Sequence, residues 1–252
     1  EGVPGVRAYS VFAQYYDELT VNVEYPKRAE YLIKLMERLG HTPGLTLDLA
    51  CGTGSLTLEL YRRGIDIYGV DSSVEMLSEA RAKCAEAGAD ILFLCQKMQA
   101  IDLYGTVDTA ICTLDSLNHL SSGEELGKVF SKVAFFMNPQ GYFIFDMNTL
   151  YKHKNILANE TYVYDMEHVY CVWQNRCHKG GKVDIQLDFF QPRMDGAYIR
   201  STERFSERAY PVEEVLQRLH EAGFGEVRVF DELSFDPPKE TSQRLVFAAK
   251  KL

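Results

Sequence analysis

No run in this 252-residue chain approaches the 18 or more consecutive apolar residues that a membrane helix requires, and no repeat or low-complexity tract interrupts it. A membrane-spanning helix and a solenoid are excluded. The N-terminus has neither the basic start nor the apolar run of a signal peptide, and its opening Glu1-Gly2 without Met reads as a trimmed or processed end of a cytosolic protein. Cysteine never occurs as CxxC: of the six, at 51, 84, 95, 112, 171 and 177, four fall in apolar segments where a thiol behaves as a small hydrophobe. Reduced core cysteines are expected, with no zinc site, no disulfide framework and no resident metal. Positive charge is the scarcer sign: 27 Lys and Arg against 36 Asp and Glu leave −9, a mean field that repels nucleic acid and anionic membranes. What remains is 46% hydrophobic, 25% charged and 12% aromatic, an ordinary globular composition at a length between one large α/β domain and two small ones.

Helical spacing runs from Pro26 to Leu39, with Pro26 in the first turn and Gly40 at the stop. Leu45 to Ala50 is short, apolar and followed by glycines, as a buried strand is. A helix with Leu56, Leu58 and Leu60 follows, then a strand from Ile65 to Val70. Ser72 and Glu75 have capping-box spacing at the head of a helix ending at Gly88, and Ser122 with Glu125 repeats it before a helix that Asn138-Pro139 terminates. Further strands are expected over Ile91 to Cys95, Val107 to Cys112 and Tyr142 to Asp146. Strands alternating with helices predict a doubly wound, mostly parallel sheet. With strands near Val227 to Phe230 and Leu245 to Ala249, and a helix opened by Pro211 between them and the preceding segment, the sheet has seven. The pattern breaks between about residues 160 and 208, where Val183, Ile185, Leu187 and Phe189 alternate with Asp184, Gln186 and Asp188. A three-stranded antiparallel meander inserted over residues 151–210 of a single domain is the expectation.

The informative stretch is Asp48-Leu49-Ala50-Cys51-Gly52-Thr53-Gly54, a strand entering a glycine turn that opens a helix. Glycines one residue apart let the backbone approach a flat or charged ligand at the crevice beyond the strand ends. Asp71 stands 19 residues past Gly52, where a strand-end carboxylate accepts hydrogen bonds from a ribose diol. An NAD-type oxidoreductase shares this spacing. Against it, Thr57 occupies the place of the third glycine of GxGxxG, and the in-strand Asp48 would oppose a pyrophosphate but suit a cationic or zwitterionic ligand.

Asp48 to Gly54 with Asp71 resembles motifs I and II of class I S-adenosylmethionine-dependent methyltransferases. Phe12 to Leu19, with Tyr15-Tyr16-Asp17, is similar to the N-terminal segment of their small-molecule branch, which includes sugar N-methyltransferases and glycine N-methyltransferase-like enzymes. Asp108 to Leu120 and Arg208-Ala209-Tyr210-Pro211 also look like that branch, and the resemblance covers about 230 residues on the positions of these motifs. It implies S-adenosyl-L-methionine as cofactor and methyl transfer to a small-molecule acceptor by in-line displacement. By the same resemblance Asp48, Ala50, Gly52 and Gly54 surround the methionine part, Asp71 takes the ribose, and Ser72 and Met76 border the adenine. Where the family carries an acidic residue for the adenine amino group this chain has Gln96-Lys97-Met98; Lys97 cannot accept, so Gln96 or a backbone carbonyl must serve, with Met98 beside it. Leu114 would lie beside the sulfonium and Tyr16 would close over the methionine end.

Each residue has a plainer reading. His119 is a candidate base or a solvated loop histidine; Asp115 is a second, weaker candidate that equally reads as a cap for backbone donors, with His168 behind both. Tyr16 either meets the cofactor or packs the N-terminal segment. In the meander, Tyr162, Tyr164, Met166, His168, Tyr170 and Val172 share one face by alternation, which lines a substrate pocket, packs on the main sheet, or forms an isologous homodimer contact. Lys152-His153-Lys154 reads as a solvated basic loop, and Asp184, Asp188 and Asp195 as the wet face of a strand. A protein or RNA methyltransferase and a non-catalytic cofactor-binding module stand as alternatives of function.

Overall fold

The computed structural model describes residues 10–252; Glu1-Gly2 lie outside them. In chain order come α1 (Ser10–Leu19), α2 (Tyr25–Arg38), β1 (Thr46–Leu49), α3 (Ser55–Arg62), β2 (Ile67–Asp71), α4 (Val74–Glu86), β3 (Phe93–Cys95), β4 (Val107–Cys112), α5 (Gly123–Phe135) and β5 (Met137–Asn148). Four antiparallel strands follow, β6 (Thr161–Asp165), β7 (Tyr170–Cys177), β8 (Lys182–Pro192) and β9 (Tyr198–Arg208), before α6 (Val212–Glu221), β10 (Phe224–Asp231) and β11 (Arg244–Lys251).

The main sheet has seven strands in the order β10-β11-β5-β4-β1-β2-β3, parallel from β1 to β5, with β11 antiparallel to both its neighbours. The chain builds outward from β1 through β2 to β3, then crosses back to lay β4 and β5 on the other side. The connections leaving β1 and β4 therefore diverge, opening a crevice beyond the carboxyl ends of these strands. Period-two alternation sends residues to opposite helix layers. Leu47, Phe143, Phe145 and Phe247 pack with Val129 and Phe130 of α5 and Leu219 of α6. Ile111, Ile144, Val246 and Ala248 pack with Leu32, Leu35 and Met36 of α2 and Leu56 and Leu60 of α3.

The cap of α4 is Ser73, whose Oγ accepts the Met76 N–H at 3.1 Å, and not Ser72. Asp71 accepts the Ser73 N–H at 2.8 Å, which carries the extended chain one residue further before the helix starts. Ser122 caps α5 as its spacing predicts, accepting the Glu125 N–H at 3.2 Å.

The inserted segment forms four strands where the sequence pattern suggests three. Alternation from Tyr162 to Trp173 is broken by a tight hairpin in which the Met166 N–H donates to Val169 O at 3.1 Å. No glycine or proline marks this turn, so the pattern alone runs straight through it. The register pairs Tyr164 with Cys171 and Tyr162 with Trp173, placing these on one face and Val163, Tyr170 and Val172 on the other. The face expected to unite Tyr162 and Tyr164 with Tyr170 and Val172 does not exist. The inner face, with Cys171, Val183, Ile185, Leu187 and Phe189, packs on Phe12, Ala13, Tyr15 and Leu19 of α1 and on Met76. On the outer face Asp188 is buried, held by Arg200, Gln186 and Thr202, so the strand is wet only in part.

Candidate functional site

β1 ends at Leu49, and the next residues turn back on themselves: Ala50, Gly52 and Gly54 have φ of +61°, +55° and +70°. Gly54 needs its glycine twice over, since an added Cβ would also lie 2.9 Å from the Ala80 Cβ. At Gly52 nothing stands within 4 Å of an added Cβ, so that backbone faces open space. The turn is held by Asp71, which ends β2 and accepts the Gly52 N–H at 2.9 Å. Burial raises the Asp71 pKa, opposed by the N–H groups of Ser73, Gly52 and Ser72 and by His119. A carboxylate that accepts one N–H on each oxygen retains lone pairs for hydroxyl donors.

Asp48 is 2% exposed on β1, and its Oδ2 accepts the Thr57 hydroxyl of α3 at 2.6 Å. Burial, with Asp71 adding to it, pushes its pKa up to about 7 against the bond from Thr57. Thr57 in the third-glycine place thus has a structural task. Asp48, Ala50, Gly52 and Leu114 line a small enclosed cavity with Tyr16, Tyr25, Cys51, Thr53 and Thr113. Tyr16 comes from α1, which Asp17 fastens over the turn by accepting from Thr53 Oγ1 at 2.8 Å and Ser55 Oγ at 3.1 Å and by pairing with Lys83. Ser72 follows Asp71 on the exposed rim and Met76 is buried on α4 beside it. Gln96 is engaged elsewhere: its amide donates to Asp102 O at 3.0 Å and its carbonyl accepts the Asp102 N–H at 2.8 Å. Met98 packs half-buried against the core.

The loop after β4 carries the other expected residues. Leu114 and Asp115 have φ of +57° and +54°, successive left-handed residues that cost roughly 1–2 kcal/mol each. Their N–H groups both donate to Asp146 of β5, Leu114 to Oδ2 at 2.9 Å and Asp115 to Oδ1 at 2.7 Å. Asp115 makes no side-chain cap; its carboxylate pairs with Arg244 Nη2 at 2.6 Å. Burial raises its pKa and Arg244 opposes the rise. His119 is exposed on the following turn, its ring 5.3 Å from that of Phe205 on β9. His119 is among the groups that lower the pKa of Asp71 and of Glu207.

Sequence patterns missed the ionic layer beneath this loop. Arg28 of α2 reaches Asp146 at 3.2 Å and Glu232 at 2.7 Å, and Arg244 of β11 reaches Asp146 at 3.4 Å. Asp146 and Arg28 are 118 residues apart, and no local spacing joins them. Nor is Lys152-His153-Lys154 a solvated loop: only Lys154 is exposed. His153 is fully buried, its Nδ1 donating to Gly181 O at 2.7 Å and its Nε2 3.5 Å from Glu207. Burial drives the Glu207 pKa upward, but His153, His119 and Asn148 hold it below the ordinary value. Lys152 donates to Asn148 Oδ1 at 2.9 Å, its pKa lowered by burial and by Arg244.

A glycine turn open at Gly52, a strand-end carboxylate with free lone pairs and a buried acid suited to a cation together match an adenosine-bearing cationic ligand. Comparison with known proteins agrees. A family described as a methyltransferase domain matches residues 46–141. YqeM of Bacillus subtilis is 31% identical over 245 residues, spanning 96% of this chain and 97% of its own. The crystal structure of an S-adenosylmethionine-dependent methyltransferase from Clostridium acetobutylicum superposes with a TM-score of 0.86 at 30% identity, covering 96% of this chain and 98% of that one. The sugar N-methyltransferase KedS8 of Streptoalloteichus sp. shares the fold, with a TM-score of 0.79 at 19% identity over 100% of this chain and 96% of its own. These likenesses set aside the oxidoreductase reading, and the chain belongs to the S-adenosylmethionine-dependent methyltransferases.

Proposed function

We propose that the enzyme methylates a small molecule received between the His119 turn and the inner face of the four-stranded sheet. The observation that supports this reading is that α1 brings Tyr16 against the residues that follow β1 and β4, where a small cavity stands in place of an open track, while the inserted sheet packs its inner face on α1. The net charge of −9 opposes nucleic acid, and a sugar N-methyltransferase shares the fold.

S-adenosylmethionine supplies an electrophilic methyl group on a sulfonium. In this assignment Asp48, Ala50, Gly52 and Gly54 receive the methionine part, with Asp48 taking up negative charge toward the cation. Asp71 binds the ribose, and Ser72 and Met76 border the adenine. With the Gln96 side chain committed to Asp102, a backbone carbonyl near Met98 meets the adenine amino group. Leu114 stands beside the sulfonium and Tyr16 closes the methionine end. His119 takes the proton that the acceptor nucleophile must lose, while Asp115, tied to Arg244, shapes the pocket wall. Alignment of nucleophile and methyl group supplies most of the acceleration, up to roughly 7–11 kcal/mol in favourable systems.

The test incubates the enzyme and methyl-labelled S-adenosylmethionine with the low-mass and the macromolecular fractions of a cell extract. Label entering only the low-mass fraction is expected; label confined to protein or RNA would overturn the reading. On the acceptor so found, His119→Ala should lower kcat by about 10²-fold or more at unchanged affinity for S-adenosylhomocysteine. Full activity would remove His119 from the chemistry.

A further inference from the structure

Leu114 and Asp115 are consecutive non-glycine residues in the left-handed region, in the loop that faces the cavity formed by the glycine turn. Nothing in their own sequence favours that conformation twice in succession. What holds it is a single side chain from the neighbouring strand: each oxygen of the Asp146 carboxylate accepts one of the two N–H groups. Successive N–H groups converging on an anion fix a turn as well as bind a ligand. Asp146 is itself locked from behind, by Arg28 on Oδ2 and Arg244 on Oδ1, and Arg244 extends past it to the Asp115 carboxylate. Backbone and side chain of the same residue are thereby tied to one buried charge layer.

We propose that Asp146 is a positioning residue for methyl transfer, a clamp that sets the Leu114–Asp115 wall of the methyl-donor cavity without touching donor or acceptor. The inference rests on the cofactor placement proposed above. Asp146→Asn keeps the shape and one acceptor oxygen, but its amide nitrogen cannot accept, so one of the two N–H groups loses its partner. Arg28→Met removes charge from the same layer and leaves both N–H bonds in place. A purely structural role predicts that the two variants behave alike.

Hydrogen exchange of the Leu114 and Asp115 amides, which needs no ligand, is the first readout. Exchange at least 10-fold faster at one of the two amides in Asp146→Asn, and within threefold of wild type at both in Arg28→Met, is expected. Calorimetric titration gives the second. S-adenosylhomocysteine should bind about 10-fold more weakly to Asp146→Asn, while adenosine, which lacks the methionine part, should bind as before. Equal exchange in the two variants, or equal losses for the two ligands, would overturn the clamp. Asp71→Ala separates this from failure of the cofactor placement. If that variant binds S-adenosylhomocysteine as wild type does, the placement fails and exchange alone decides the clamp; if it weakens binding and Asp146→Asn does not, only the clamp fails. Should Asp146→Asn not fold, Asp146→Glu keeps the charge for both arginines while shifting the carboxylate off the two amides, and the same readouts apply.

Discussion

Asp48 offers the sharpest quantitative test, because its environment sets both stability and ligand response. Its carboxyl is buried on β1 with one hydrogen bond, from Thr57, and its pKa stands at about 7 in the folded protein against an ordinary 3.8. At about 1.4 kcal/mol per unit, that displacement corresponds to roughly 4 kcal/mol. The sign follows from which state holds the proton. Between these values the folded protein keeps a proton that the unfolded chain has released, so stability from this group declines as pH rises from about 4 to 7 and is level above. Asp48→Asn abolishes the titration and keeps an oxygen for Thr57. Denaturant unfolding of both proteins across that range should show the variant gaining on wild type by roughly 4 kcal/mol, the difference isolating Asp48 from every other acid. A cationic ligand at Asp48 favours the ionised form, so S-adenosylhomocysteine, with its ammonium group, should displace close to one proton at pH 6. Calorimetry in buffers of different ionisation enthalpy measures that proton. A stability difference flat with pH, together with no proton release, would refute the reasoning.

The remaining predictions concern the scaffold. Gly54→Ala places a Cβ at φ +70° and 2.9 Å from the Ala80 Cβ, so unfolding in urea should show a loss of roughly 1–3 kcal/mol; a change under about 0.5 kcal/mol would mean the turn relaxes freely. Phe145→Ala empties a fully buried site whose ring stacks on Phe247 at 4.9 Å, and should cost about 3–5 kcal/mol, lowering Tm by on the order of 10 °C. A shift of a degree or two would show that α5 closes the gap.

The two sheets differ in how far their layout can be read along the chain. In the main sheet the glycine punctuation, the capping serine at 122 and the short apolar runs at Tyr142 to Asp146 and Leu245 to Ala249 are signals between near neighbours, and those runs lie inside β5 and β11, although β5 begins earlier, at Met137, and takes in Asn138-Pro139. In the inserted sheet the turn from Met166 to Val169 contains no residue that demands a turn, so a hairpin reads as one strand and its faces are assigned wrongly. The candidate site divides in the same way. Asp48, Gly52, Gly54 and Asp71 lie within one strand–turn–helix–strand unit, and their spacing in sequence is their spacing in the site. Arg28, Asp146, Glu232 and Arg244 come from α2, β5, the connection after β10 and β11, and each alone looks like an ordinary charged residue.

By itself, then, the sequence determined the parallel main sheet, the glycine turn at the end of β1 and the acids that serve it, because hydrophobic period and backbone permissiveness are local properties of a chain. Tertiary structure alone decided that Asp115 answers to Arg244, that His153 is buried against Glu207, and that Asp146 fixes a left-handed turn in the loop after β4. A buried charge is set by what lies across from it, and which residue lies across is decided only when the layers pack.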